Sequence, residues 1–154
     1  MKLVVFAKAP IPGQAKTRLA AALGPSGAAE LHRRLVCHTL EKSLAADIGP
    51  VELCCAPDAG HGFFADCVAR YGVALGVQGD GDLGARMSRV FERDAPAVLI
   101  GCDAPSLTAA DIRAAARALD AADGAMTPAE DGGYMLIALR AAAPALFTGI
   151  AWST

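Results

Sequence analysis

The hydrophobic positions of this chain come in short separate runs, and most are followed by a stretch with helical spacing. Residues 2–7 predict a buried strand, and 14–23 and 26–47 predict helices. Gly24-Pro25 separates the two helices, with Ser26 as a candidate N-cap. "VELCCA" (51–56) predicts a second strand and 61–71 a helix. "VALGVQ" (73–78) is a third strand and 83–94 a helix. "AVLIGC" (97–102) is the clearest strand of all. Thr108 opens T-x-x-D, a capping-box variant, ahead of an alanine-rich helix over 109–121. "GAMTPA" (124–129) and "YMLIAL" (134–139) predict two more strands around a turn.

Strands and helices alternate through residue 121, the signature of βαβ units. Continuous apolar runs such as "AVLIG" suit strands covered on both sides. The expectation is an α/β protein with a mainly parallel sheet and helices on both faces. With 154 residues, one domain spanning 1–154 is the natural reading. In such sheets ligands sit at the carboxyl ends of the strands. That directs attention to residues 8–18, 57–62, 79–86, 103–107 and 128–133.

Composition narrows the classes. Hydrophobic residues make up 54% of the chain, yet no run approaches the roughly 18 apolar residues of a membrane span. The start, "MKLVVFAKAP", is too short a run for a signal peptide and lacks a small-residue cleavage pattern. A cytoplasmic protein without membrane partners is expected. The net charge of -2 argues against a nucleic-acid-coating surface. Cys37, Cys54, Cys55, Cys67 and Cys102 are odd in number and lack C-x-x-C, so they read as small buried apolar residues. His32, His38 and His61 have no metal-ligand spacing and read as core or surface residues.

The loop "KAPIPGQAKTRL" (8–19) places Lys16 and Arg18 at the predicted start of a helix. A helix start already carries partial positive charge and unpaired N–H groups, so cations there work against stability. The missing anion then comes from a ligand, and phosphate suits the place. Gly13 allows close backbone approach, and Pro10 and Pro12 stiffen the loop. Two of the chain's four lysines, Lys8 and Lys16, lie in this loop. The plain alternative is a solvated basic turn, and the Walker A pattern is not met.

"GDGDLG" (79–84) matches G-x-G-x-x-G between a strand and a helix, and Asp103 follows Gly84 at nearly the spacing of a ribose-binding acid. Asp80 and Asp82 would repel a pyrophosphate, however, and the motif belongs to the third βα unit. A substrate-lining loop fits better, with Arg86 reaching inward and Asp82 accepting hydroxyl hydrogen bonds. For Arg86 the plain alternative is an ordinary helix-surface arginine.

"GCDAPSL" places Asp103 just past the apolar strand 97–102, where a carboxylate can hold Mg²⁺ or Mn²⁺ against phosphate oxygens. An Asx-turn into Pro105 is the alternative, and the two can coexist. "PAEDGGY" reads as a hairpin turn, or as a flexible acidic loop over the substrate. In the second reading Asp131 supplies a metal or hydroxyl contact, ahead of Gly132 and Gly133. No Ser-His-Asp arrangement, G-x-S-x-G or H-E-x-x-H is present, against the common hydrolase classes.

Taken together, "KAPIPGQAKTRL", "GDLGARM", "GCDAPSL", "PAEDGGYMLIAL" and "GIAWST" resemble a bacterial family of small GT-A-fold proteins in the nucleotide-diphospho-sugar transferase superfamily. That family is similar to molybdenum-cofactor and phospholactate guanylyltransferases, and its members are often labelled glycosyltransferases. The resemblance implies a nucleotide at loop 8–18 and a metal at Asp103. Chains of the family continue past W-S-T with a further helix and an acidic D-x-D-like segment, whereas this sequence ends at Thr154. The alternatives are a truncated chain, a disordered tail, or a domain that has lost that segment.

The resulting expectation is a metal-dependent transferase acting on a nucleoside triphosphate or nucleotide-sugar and a small acceptor. Nucleotidyl transfer is favoured over glycosyl transfer, because a triphosphate has more charge for the basic loop to neutralise. Such transfers need charge neutralisation and positioning, and no protein nucleophile. Lys16, Arg18 and Asp103 are the expected catalytic residues. Lys8, Pro12, Gly13, Asp82, Arg86, Asp131, Gly132 and Gly133 are expected to bind substrate, and Asp103 and Asp131 to hold the metal. The alternatives are a non-catalytic nucleotide-binding regulatory module and, on the third loop alone, an NAD-binding oxidoreductase.

Overall fold

Six strands form one sheet in a computed structural model that describes residues 1–129 and 133–152. The strands are β1 (Lys2–Lys8), β2 (Val51–Ala56), β3 (Ala74–Val77), β4 (Ala97–Gly101), β5 (Gly124–Pro128) and β6 (Tyr134–Leu139). The helices are α1 (Ala20–Ala46), α2 (Gly62–Tyr71), α3 (Leu83–Asp94) and α4 (Ala109–Ala118). The spatial order is β3-β2-β1-β4-β6-β5. β1 pairs in parallel with β2 and β4, and β2 with β3. β6 is antiparallel to β4 and β5, so one strand runs against the other five. The mainly parallel α/β expectation holds.

The two-residue period of the strands builds a core on each face. Leu3, Val5, Leu53, Cys55 and Ile100 pack on one side against Val36 and Leu40 of α1, Phe64 of α2 and Ile112 of α4. Val4, Cys54, Leu99 and Ile137 face the other side, where Met87, Val90 and Phe91 of α3 cover them with Phe147 and Trp152. Helices therefore lie on both faces, as the sequence implied. At the amino ends of the strands, buried Glu52 accepts from Lys2 (2.6 Å) and Arg93 (2.8 Å). This ion cluster ties α3 to the sheet at the edge where the strands begin.

The helix predicted over 14–23 is the main departure. Residues 9–16 form a loop, a 3-10 turn follows at Thr17–Leu19, and α1 begins at Ala20. α1 is itself broken at Gly24, whose φ of 73° and ψ of 162° are not helical. Pro25 has no N–H for a helical ladder but suits the first position of the stretch that follows. Ser26 therefore lies inside that stretch and does not cap it. Thr108 and Asp111 form the expected capping box, with bonds of 3.1 and 2.8 Å.

Gly84 fixes how the C-terminal segment packs. A Cβ there would lie 2.5 Å from the Phe147 carbonyl and would also strike the Trp152 indole nitrogen. A main-chain carbonyl yields little, so Gly84→Ala should push segment 147–152 off α3 and loosen the stacked pair Phe91–Phe147. The expected loss is about 1–3 kcal/mol. Trp152 is the chain's single tryptophan, so a red-shifted fluorescence maximum would report the displacement.

Candidate functional site

The strand order reverses between β1 and β4. From β1 the chain builds outward to β2 and β3, then returns to place β4 on the opposite side of β1. In open α/β sheets the crevice beyond the carboxyl ends of two such strands is the natural ligand site. The register pairs Phe6 with Gly101, so Lys8 and Asp103 each lie two residues further on. The loops carrying the sequence's main candidates thus leave the sheet side by side.

Lys16 and Asp103, 87 positions apart, form an ion pair across this crevice. The lysine side chain is only 15% exposed, whereas that of Asp103 is 78% exposed. Burial lowers the Lys16 pKa, the nearby Cys102 opposes this, and Lys8 adds to it. Lys16 also adopts a left-handed backbone, φ 53° and ψ 44°, a conformation costly for a side chain with a Cβ. Strain and a half-buried charge coincide at one lysine, which precedes only a 3-10 turn. The anion-site argument from a long helix start therefore loses its basis. The cations themselves remain, with Lys8 and Arg18 exposed on the same loop as Pro12 and Gly13. Gly13 has φ 83° and open space at its Cβ position.

Buried groups support these loops from below. His32 of α1 meets the Lys8 carbonyl through Nε2 at 2.7 Å. A carbonyl only accepts, so this nitrogen carries the ring proton. Lys42, also on α1, donates to the Ala104 carbonyl at 2.7 Å. Cys102 donates to the Phe6 carbonyl at 3.2 Å, and burial pushes its thiol up to about 12. It is an inert packing residue between the strands. His32 and Lys42 belong to the site's support, yet neither was a sequence candidate. Their partners lie 24 and 62 positions away, beyond the reach of any local pattern.

Burial also lowers the His32 pKa from 6.5; its bond to the Lys8 carbonyl opposes this, and Lys16 and Lys8 reinforce it. An unfolded chain then takes up this proton at higher pH than the folded one. Stability should fall as pH drops below 6.5 and recover as it rises. Urea midpoints at about pH 7 and about pH 5 should differ more in wild type than in His32→Gln, which has no such proton to bind.

The third loop is held by its own arginines. Arg89 donates to the carbonyls of Gln78 (2.6 Å) and Asp80 (3.0 Å), and Arg86 to that of Gly81 (3.0 Å). Asp82 caps α3 by accepting from the Ala85 N–H at 2.8 Å. A carboxylate thus already occupies this helix start, which removes the structural basis for a pyrophosphate there. The loop also follows β3, an edge strand away from the β1–β4 crevice. The fingerprint in the sequence therefore gives no support to a dinucleotide site. Asp82 and Arg86 are engaged in the loop itself.

β5 and β6 form the expected hairpin, closed by Ala129 N–H donating to the Gly133 carbonyl at 2.8 Å. The pairing of Ile100 with Leu136 brings the start of β6, and exposed Gly133, to the Asp103 end of β4. Asp131 and Gly132 lie outside the described residues. Among the described residues no group of three or more His, Cys, Asp or Glu side chains could hold a metal. Asp103, a single exposed carboxylate, fits an ion shared with a ligand's phosphates, since Mg²⁺ commonly takes one or two carboxylates plus phosphate oxygens. Nor is any described helix long and apolar enough to cross a membrane.

A family model described as an uncharacterized protein conserved in bacteria (DUF2064) matches residues 39–154. A solved structure described as a candidate nucleotide-diphospho-sugar transferase, from Desulfovibrio desulfuricans G20, is similar with a TM-score of 0.86 and 32% identity. The match covers 99% of this chain and 69% of that one. A Methanothermobacter nucleotidyl transferase matches with a TM-score of 0.56 and 16% identity, over 91% of this chain and 72% of that one. A 4-diphosphocytidyl-2C-methyl-D-erythritol synthase from Anaerococcus prevotii matches at 0.54 and 10%, over 86% and 61%. These last two likenesses are of fold alone. Among curated proteins, none matches the sequence.

Proposed function

This chain belongs to the bacterial DUF2064 family, and we propose that it is a metal-dependent transferase acting on a nucleotide or nucleotide-diphospho-sugar. Nucleotidyl transfer to a small acceptor is the favoured form. The observation that carries this reading is the meeting of Lys16 and Asp103 at the β1–β4 switch point. The likeness to transferase folds supports it.

Lys8, Lys16 and Arg18 supply positive charge for the phosphates on one side of the crevice. On the other side, Asp103 would hold Mg²⁺ or Mn²⁺. The ion, when bound, offsets charge that builds on the transferring group. In their ion pair, Lys16 and Asp103 neutralise one another. A polyphosphate draws Lys16 to itself and frees the carboxylate. Pro12 and Gly13 bring the backbone close to the phosphates. The protein positions and neutralises, and contributes no covalent intermediate.

A thermal-shift screen of nucleoside triphosphates and nucleotide-sugars, with and without Mg²⁺ or Mn²⁺, tests this. A ligand at a hundred times its Kd adds about 2.7 kcal/mol of stability. A metal-enhanced shift followed by product formation supports the reading. Binding with no product from any acceptor would identify a binding module instead, and no shift with any nucleotide would reject the nucleotide site.

A further inference from the structure

α1 touches both loops of the crevice, each through one buried polar side chain. His32, 6% exposed, reaches the Lys8 carbonyl, and Lys42, 8% exposed, reaches the Ala104 carbonyl. Ten positions of helix, about 15 Å, separate the two anchors. Neither is an economical way to fill its space. A lysine in the interior loses hydration that one carbonyl restores only in part, and an apolar side chain would avoid that loss. His32 carries a second cost, because its buried Nδ1 meets no hydrogen-bond partner among the described residues. Packing alone explains neither residue. Both partners, though, are main-chain groups of the site: Lys8 itself, and the residue after Asp103.

We propose that His32 and Lys42 are positioning residues, and that α1 is a strut setting the separation of the β1 and β4 loops. One anchor holds the loop that presents Lys16, the other the loop that presents Asp103. This rests on reading the crevice as a phosphate and metal site. It divides the labour: the His32 contact governs phosphate binding, and the Lys42 contact governs the contribution of the metal.

Calorimetric titration of the full chain with inorganic tripolyphosphate, with and without Mg²⁺, separates the two roles. His32→Leu should weaken metal-free binding about tenfold, about 1.4 kcal/mol, and keep the Mg²⁺-dependent gain. Lys42→Met should keep metal-free binding and lose most of that gain. His32→Gln, whose amide can still donate to the Lys8 carbonyl, should recover most of the affinity. Equal losses in both arms for both variants would mean general loosening and would overturn the proposal, as would wild-type binding in both. Should the apolar variants not fold, hydrogen exchange on His32→Gln and Lys42→Gln decides. Changes confined to residues 9–19 and 102–107 respectively support the strut, and changes spread through the sheet overturn it. A wild type that takes up neither tripolyphosphate nor any nucleotide would defeat the functional reading, and hydrogen exchange would still judge the strut.

Discussion

Asp103→Asn should lower metal-dependent turnover by about two to three orders of magnitude, about 2.7–4 kcal/mol of transition-state stabilisation. The substitution keeps size and shape and removes the anionic charge. Asp103 is mostly exposed, and its one described ion pair is with Lys16. The pair is exposed on the Asp103 side, and the asparagine carbonyl can still accept from Lys16, so stability without ligand should stay within about 1 kcal/mol of wild type. The stabilisation that Mg²⁺ adds in the presence of a triphosphate should disappear along with turnover. If Asp103 served only to hold Lys16 or to shape the turn into Pro105, asparagine would serve nearly as well, since its carbonyl still accepts hydrogen bonds. Full Mg²⁺-dependent turnover by the asparagine variant would therefore remove the metal role and leave a structural one.

Lys16→Gly should move stability and function in opposite directions. Glycine adopts φ 53° without the Cβ clash that lysine suffers there, and the change also removes a desolvated ammonium. Ligand-free stability should rise by about 0.5–1 kcal/mol, after allowance for the weak pair with Asp103 and for glycine's freer unfolded chain. Affinity for triphosphate should fall by about tenfold or more, since one charge-assisted hydrogen bond is worth about 1.5–3 kcal/mol. Urea denaturation and calorimetric titration of the same preparation give both signs. A variant that is less stable than wild type and binds triphosphate normally would make Lys16 a structural cation. It would also move the phosphate site away from the β1 loop.

Much of this architecture follows from the sequence alone, for local reasons. The apolar runs at 2–7, 51–56 and 97–102 are long, bounded by polar or turn residues, and separated by helical spacing, so strands and a βα alternation were legible. The Thr108–Asp111 cap was legible too, because both partners lie within one turn. Lys8, Lys16 and Asp103 stood out as charges at the ends of buried strands, where topology puts ligands.

The tertiary structure decided what depends on distant partners. The 14–23 segment has helical composition, but Gly24-Pro25 leaves only a short piece before the break. Its Lys16 end is drawn to Asp103, so the chain there is a strained loop. The G-x-G-x-x-G run of the third loop has the letters of a phosphate cradle. Arg86, Arg89 and Asp82 instead take up its carbonyls and the α3 start. His32 and Lys42 carry no local signal, since a buried polar residue is defined by the carbonyl it meets, and those carbonyls lie across the fold. Hydrophobic periodicity is a property of neighbours in sequence and sets the elements. Polar satisfaction is a property of neighbours in space, and it alone set the loops that form the site.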